Sequence, residues 1–313
     1  MRSVKYSGAG QAAEVVSLVE AEIPRPGAGE VVVRVGAVGI NPVDVKIRAA
    51  ATDFGPIEYS DRPGWDVAGV VSEVGEGAGR WTTGDRVFAL AAFPSAAHTL
   101  ADYAIVAAAD LASAPASWST AQAGAAPLVA LTAWQALEAA GVVAGHRVLV
   151  LGGSGGVGHL AIQLAKARGA HVIATASTAK HDLVRSWGAD EVIDYRDAER
   201  LAVVPRVDAV IITVDDTLPP HGAVGDATAV ITITGLSDPQ RDQLAAWGAA
   251  PVARILVHAD GAQLAEIAAL ADAGAATVHL DSTFALEELS AAHERVESGR
   301  VTGKAAVIVD PEL

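Results

Sequence analysis

The 313-residue chain contains no cysteine. Disulfides, thiolate nucleophiles and cysteine-ligated zinc are therefore excluded. Cations are scarce as well: 22 Lys and Arg stand against 37 Asp and Glu, a formal charge of −15. No run of Lys or Arg interrupts that balance, and such a field repels phosphate backbones, so nucleic acid is not an expected partner. Apolar residues are plentiful but dispersed as Ala and Val, and no stretch approaches the roughly 18 uninterrupted positions of a membrane-spanning helix. Residues 1–10 are polar and glycine-bearing with no apolar region behind them, so no signal peptide is expected and a cytoplasmic location is the default. Internal repeats and low-complexity tails are lacking. What remains is a globular chain whose length suits two domains.

The informative stretch is 147–188, RVLVLGGSGGVGHLAIQLAKARGAHVIATASTAKHDLVRSWG. It reads as strand, glycine turn, helix, strand, helix. Arg147 to Leu151 is a β-branched and leucine run, and Gly153, Gly155 and Gly158 give GxGxxG spacing where a helix begins. Such glycines permit a tight turn and let the N–H groups around Ser154, Gly156 and Val157 approach a pyrophosphate at the positive end of the helix. Val157, Leu160, Ala161, Leu164 and Ala165 then recur with helical period, and Gly169 closes the helix. A glycine fingerprint between a strand and a helix carries much more weight than one standing alone.

Two other glycine motifs compete for these residues. Gly152 to Gly156 also satisfies GxSxG, which would make Ser154 a hydrolase nucleophile backed by Asp194 or Asp208 and by His258 or His293. A Walker loop is excluded, because His159 and Leu160 stand where Lys and Ser or Thr are needed. An unliganded glycine turn is the plain alternative.

An NAD-preferring site places Asp or Glu about twenty residues past the glycines to hold the ribose 2′-hydroxyl. Here the second strand ends in Ala174-Thr175-Ala176-Ser177, without an acid. Ser177 and Lys180 instead offer a hydroxyl and a cation suited to a 2′-phosphate, so NADPH is the expected cofactor. The structural alternative makes Ser177 a helix cap and Lys180 a solvated surface residue.

The first third has short β-rich pieces punctuated by glycine, as in Glu30–Val35, Gly69–Val74 and Asp85–Leu90, which implies a barrel-like β domain. Leu128 to Ala140 turns helical. Apolar runs at Asp208–Val214, Ala229–Thr234 and Ala253–Val257 extend a parallel sheet. Helices are expected over Gln263–Ala273 and Leu286–Val296, with Leu286, Leu289, His293 and Val296 on one face, before a last strand at Ala305–Val309. An upstream β domain also argues against the hydrolase, whose elbow needs sheet strands before it.

Separated motifs in a consistent order then carry a resemblance: Gly39–Lys46 (GINPVDVK), Pro63–Val71 (PGWDVAGVV), Gly84–Val87, Leu131–Leu137, the glycine segment through Lys166, Gly188–Tyr195 and Gly303–Val307. The chain resembles the medium-chain dehydrogenase/reductase superfamily, in its zinc-free quinone and enone oxidoreductase branch. The resemblance implies an α/β fold: a GroES-like β-barrel-type catalytic domain over 1–122, completed by 260–313, and a Rossmann doubly wound parallel-sheet domain over 123–259. It implies a cleft between them where the nicotinamide meets substrate.

The resemblance also assigns residues. Asn41, Asp44 and Lys46 are expected beside the nicotinamide and its ribose, with Thr132 opposite and Gly235 among the cofactor contacts. Ser177, Lys180 and Tyr195 match positions that hold the 2′-phosphate and adenosine in NADPH-using relatives. Tyr59, in the loop between Phe54 and Pro63, is a candidate proton donor or quinone-stacking residue. Lys46 and Tyr59 have surface alternatives, Asp44 a capping alternative after Pro42, and Trp65 reads as packing. In the zinc-dependent branch Asn41 would be a cysteine ligand and Trp65 a histidine ligand, so no metal is expected. Asp215–Pro220 and Asp226-Ala227 depart from the glycine-bearing turns of relatives. An edge strand at Val252–Val257 resembles the one through which relatives dimerise, so a homodimer is expected.

Three functions follow from this reading. The first is NADPH-dependent, zinc-independent reduction of a quinone or α,β-unsaturated carbonyl compound, with secondary metabolism as one setting. The second is a catalytically silent NADPH-binding protein used for structure or sensing. The third is a serine hydrolase using Ser154.

Overall fold

A computed structural model describes residues 1–50, 52 and 55–313; Phe54, the start of the Tyr59 loop, lies outside them. The chain forms two compact units, Met1–Leu131 with His258–Leu313, and Thr132–Val257. The sequence reading set the joins at 122/123 and 259/260.

The first unit opens with the antiparallel pair β1 (Arg2–Tyr6) and β2 (Val16–Glu20), linked by α1 (Ala12–Val15). Then come β3 (Glu30–Ile40), α2 (Pro42–Ala50), β4 (Asp66–Val74), β5 (Arg86–Leu90), β6 (Tyr103–Ala107), β7 (Leu111–Ser113) and α3 (Thr120–Ala125), while α4 (Pro127–Ala139) carries the chain across the division at Leu131. β3 runs to Ile40, five residues past its expected end at Val35, because its second half has its own partner: Ala37 to Ile40 pair with the last strand of the chain. Its first half pairs with both β4 and β6.

The second unit holds β8 (Arg147–Leu151), α5 (Gly156–Ala167), β9 (His171–Thr175), α6 (His181–Ser186), β10 (Glu191–Ile193), α7 (Ala198–Ala202), β11 (Ala209–Ile212), β12 (Ala229–Thr232), α8 (Asp238–Ala246) and β13 (Val252–Arg254). The six strands are parallel in the order β10-β9-β8-β11-β12-β13. This is a doubly wound sheet whose strand order reverses at β8, and ligands in such sheets bind past the strand ends at that reversal. Leu149, Val150, Val210, Ile211, Val230 and Ile231 are fully buried, as expected of strands covered on both faces. β13 ends at Arg254 rather than Val257, although Ile255 still donates to the Thr232 carbonyl (3.0 Å).

The chain then returns to the first unit with α9 (Gly261–Asp272), β14 (Leu280–Ala285), a 3₁₀ turn at Leu286–Glu288, α10 (Leu289–Glu297) and β15 (Lys304–Ile308). β15 joins β3, and the resulting order β14-β15-β3-β4-β5-β7, with β6 also on β3, completes a seven-stranded sheet. The apolar face expected on 286–296 turns to the core: Leu286 and Leu289 are buried in the β core with Val307 and Val33, and Val296 packs against it half-buried. His293, on the same face, is buried too. Among the described residues no helix is long and apolar enough to cross a membrane.

Candidate functional site

In the second unit the fingerprint adopts the geometry its glycines require. Gly152, at φ +88°, turns the chain out of β8, and a Cβ there would meet the Thr213 side chain at 2.6 Å. Gly153 donates to the Thr175 carbonyl (2.8 Å), and a Cβ on it would lie 2.9 Å from that of Ala174. Gly155 is the N-cap of α5 without a side chain to cap it. A Cβ on Gly158 would strike the Gly152 carbonyl at 2.1 Å. The first-turn amides of Gly156, Val157 and Gly158 have no intrahelical acceptor, so the turn presents N–H groups at the positive end of a twelve-residue helix. That cradle fits a dinucleotide pyrophosphate. Ser154 is half-buried within it.

Past β9 the chain continues through Ala176 to Ser177, the N-cap of a single 3₁₀ turn, Thr178–Lys180, although its side chain makes no capping bond. The capping alternative for Ser177 thus finds no side-chain bond behind it. Lys180 is half-buried, while Tyr195 is 57% exposed under the Arg196 guanidinium (5.2 Å to the ring centre). Asp194, at the end of the neighbouring β10, accepts from the Thr178 amide (3.0 Å) and hydroxyl (2.5 Å) and from Arg196 (2.7 Å). Arg196, then Thr178, hold its carboxyl well below the usual range. Gly235, at φ +147°, follows β12 and donates to Thr232 Oγ1 (3.3 Å).

Three of the four partners weighed for a Ser154 nucleophile are committed to other contacts. Asp194 is held as just described, Asp208 accepts from the Arg147 amide (2.7 Å), and His293 is buried in the first unit, 3.5 Å from the Tyr6 hydroxyl.

In the first unit, Asn41 and Asp44 come together where β3 passes into α2. Asn41 precedes the helix, and Asp44, at its third position, reaches back to accept from the Asn41 amide (2.8 Å), half of a capping box. The capping alternative for Asp44 is therefore realised. Its other oxygen, Oδ1, is buried without a partner. Burial, with nearby Asp66 adding to it, pushes the Asp44 carboxyl up to about 7.

The Asn41 side chain turns away from the helix into a buried charged group. Its Nδ2 donates to Asp66 Oδ2 (2.8 Å), while its Oδ1 accepts from Lys304 Nζ (2.5 Å), which also donates to the Ile40 carbonyl (2.8 Å). Lys304 and Asp66 lie 3.8 Å apart, 3% and 0% exposed. Burial raises Asp66 to about 6 and lowers Lys304, each opposed by the other's charge. The second Asp66 oxygen accepts from the Leu128 amide (2.6 Å) in the first turn of α4, the favourable end of a helix for an anion. Further along α4 sits Thr132, 4% exposed. Lys46 is exposed on α2 and Tyr59 half-buried in its loop. Trp65 packs edge-on against Phe93 and donates to the Ser95 carbonyl (2.7 Å), the packing role expected of it.

Neither Asp66 nor Lys304 stood out as a functional residue in the sequence. The available signal was an isolated charge at the head of an apolar strand, in Asp66-Val67-Ala68 and Lys304-Ala305-Ala306-Val307.

A doubly wound sheet with this helix terminus, in a chain that also carries a separate β unit, is an architecture suited to a nucleotide-dependent oxidoreductase. Residues 27–138 match the alcohol dehydrogenase GroES-like domain, and 187–307 match the zinc-binding dehydrogenase family. The chain is 32% identical to the chloroplastic quinone-oxidoreductase QR1 of Triphysaria versicolor, over 99% of this chain and 98% of that protein. It is 33% identical to the 2-methylene-furan-3-one reductase of Solanum lycopersicum, over 90% and 72% respectively. Its fold superposes on the quinone oxidoreductase from Coxiella burnetii with a TM-score of 0.84 at 28% identity, covering 99% of each chain. The chain belongs to the medium-chain dehydrogenase/reductase superfamily, in its quinone oxidoreductase branch. It is an oxidoreductase of a family dependent on nicotinamide cofactors.

The zinc in one matching family's description does not suit these residues. The chain has no thiol, Asn41 is bound by Asp66 and Lys304, and Trp65 offers no lone pair. Among the described residues no three His, Asp or Glu side chains gather to hold a metal.

Proposed function

We propose that this protein is an NADPH-dependent, zinc-independent reductase of quinones or α,β-unsaturated carbonyl compounds. The observation that carries the cofactor choice is the end of β9, where Ser177 and Lys180 follow a strand bearing no acid. A 2′-phosphate there gains charge-assisted hydrogen bonds. Asp194, which would repel it, has its charge offset by Arg196. The relatives named for quinones and for a conjugated furanone support the acceptor class.

When bound, the nicotinamide supplies a hydride to the electrophilic carbon of the acceptor. Gly156, Val157 and Gly158 fix the pyrophosphate through their amides, with Gly153 and Gly155 keeping the turn clear of side chains. Ser177 and Lys180 hold the 2′-phosphate, and Tyr195 covers the adenosine. Asn41 and Lys46 serve the nicotinamide ribose and the developing oxyanion, with Thr132 and Gly235 completing the cofactor contacts. Asp44, whose carboxyl is raised to about 7 and so keeps its proton in a large share of molecules at neutral pH, and Tyr59 are the proton sources: one hydride and one proton convert C=C–C=O to its saturated ketone, or a quinone to its hydroquinone. An acceptor that is already electrophilic needs no Lewis acid, so most of the rate comes from positioning and from donors aimed at the oxygen. Dimerisation along β13 belongs to the same reading, since that short edge leaves backbone groups free to pair.

The test is nucleotide binding followed by turnover. NADPH binding much tighter than NADH, with oxidation by 9,10-phenanthrenequinone or a simple enone, supports the reading. Binding without oxidation of any acceptor favours a cofactor-binding protein without turnover.

A further inference from the structure

We propose that Lys304 and Asp66 are positioning residues that grip opposite ends of the Asn41 amide and leave one of its N–H bonds to meet a cofactor or substrate oxygen. The inference rests on the reductase reading above and assigns two residues that reading does not use.

An amide side chain has two N–H donors and a carbonyl acceptor, and its two ends differ little in shape. What fixes Asn41 is charge. Its carbonyl faces the Lys304 ammonium at 2.5 Å, and one N–H faces the Asp66 carboxylate at 2.8 Å. Reversing the amide would set NH₂ against the ammonium and a carbonyl against the carboxylate, both repulsive in a buried site. Only one orientation survives, and its remaining donor is the second N–H on Nδ2. That N–H belongs to an amide polarised from both ends.

The grip is itself held from three sides. Lys304 is tied to the Ile40 carbonyl (2.8 Å), so its ammonium is fixed beside the residue it orients. Asp66 uses its other oxygen on Leu128 (2.6 Å), which binds the same carboxylate to the first turn of the helix carrying Thr132. A Cβ on Gly39 would stand 2.6 Å from Asp66 Oδ2, so a glycine on β3 is what lets the carboxylate approach. A buried ion pair with these costs is weak evidence of a stabilising role, since apolar replacements of such pairs are often neutral or better. Its geometry around one amide is better explained by orientation.

The experiment combines a double-mutant cycle with one spectroscopic reading. Steady-state kinetics with NADPH and 9,10-phenanthrenequinone are measured for the wild type, Lys304→Met, Asn41→Ala and the double variant, with NADPH affinity by calorimetry and folding by thermal melting. Lys304→Met is expected to lower kcat about 10- to 100-fold, the scale on which partners that orient a site residue act, with NADPH affinity near wild type. The double variant is expected to be no slower than the slower single one. Losses that multiply, or a folded Lys304→Met with wild-type kcat, overturn the proposal. Lys304→Gln, which keeps an N–H donor on a side chain one bond shorter, stands in if the methionine variant does not fold, and is expected to recover part of the rate. In the ¹⁵N-labelled wild type, NADPH or quinone binding is expected to shift one proton of the Asn41 side-chain pair more than the other. If both stay unmoved while NADPH binds and quinone is reduced, the positioning role is wrong and the reductase reading stands; a wild type without turnover removes both.

Discussion

A side-chain carbon on Gly158 would sit 2.1 Å from the carbonyl oxygen of Gly152. That oxygen is backbone, so nothing flexible can give way. Gly158→Ala is therefore expected to cost about 1–3 kcal/mol of stability, the usual scale of overpacking, and to weaken nucleotide binding at least about tenfold, or 1.4 kcal/mol. Gly155→Ala is the control, because its Cβ would meet the same oxygen at an ordinary 3.4 Å. Melting temperatures and calorimetric titrations of both variants separate the two; equal melting temperatures would contradict the steric argument.

Lys180→Ala should weaken NADPH binding by about 1–3 kcal/mol, the size of a hydrogen bond to a charged group, and leave NADH nearly untouched. The check is the ratio of the two dissociation constants. Equal losses for both nucleotides would remove Lys180 from the 2′-phosphate.

His293 should make the fold acid-sensitive. Burial, with Arg48 nearby, holds its imidazole down to about 3, against about 6.5 unfolded. Below pH 6.5 the unfolded chain binds a proton that the folded one refuses. The stability from the neutral ring is thus present above pH 6.5 and lost as pH falls toward 3, at up to about 1.4 kcal/mol per pH unit. Asp44 and Asp66, raised to about 7 and about 6, run the other way, their contribution being present below about pH 4 and lost as pH rises. Wild type and His293→Gln should therefore diverge between pH 6.5 and 4 in denaturant melts, with the variant losing less. Parallel curves would contradict this.

Ala227 occupies a left-handed conformation, φ +66°, just before β12. A Cβ in that region costs about 1–2 kcal/mol, so Ala227→Gly should stabilise the protein by about 1 kcal/mol, after the greater freedom of glycine in the unfolded chain is subtracted. Urea midpoints test it, and a lower midpoint would refute the strain.

Asp44 as a proton source predicts turnover that declines above about pH 7 as its carboxyl ionises. Asp44→Asn should be slower and lack that limb. A variant that retains the decline would assign it to another group.

The elements legible in the sequence were those with a local cause. β8, the turn and α5 follow from consecutive residues, and the apolar runs of the parallel sheet are buried on both faces, so periodicity found them. β3 was read only to Val35 because its last residues are strand by virtue of β15, more than 260 positions away. The candidate site divides in the same manner. Asn41 and Asp44 lie in one motif, whereas Asp66 and Lys304 reach Asn41 only through sheet pairing between β3, β4 and β15. A strand-leading charge gives no sign in sequence of which amide it will face.

The central claim is tested most directly by titrating the purified, metal-stripped protein with NADPH and NADH in a calorimeter and then following NADPH absorbance with 9,10-phenanthrenequinone. Tight, NADPH-selective binding followed by oxidation is the expected result. Failure to bind either nucleotide would contradict it.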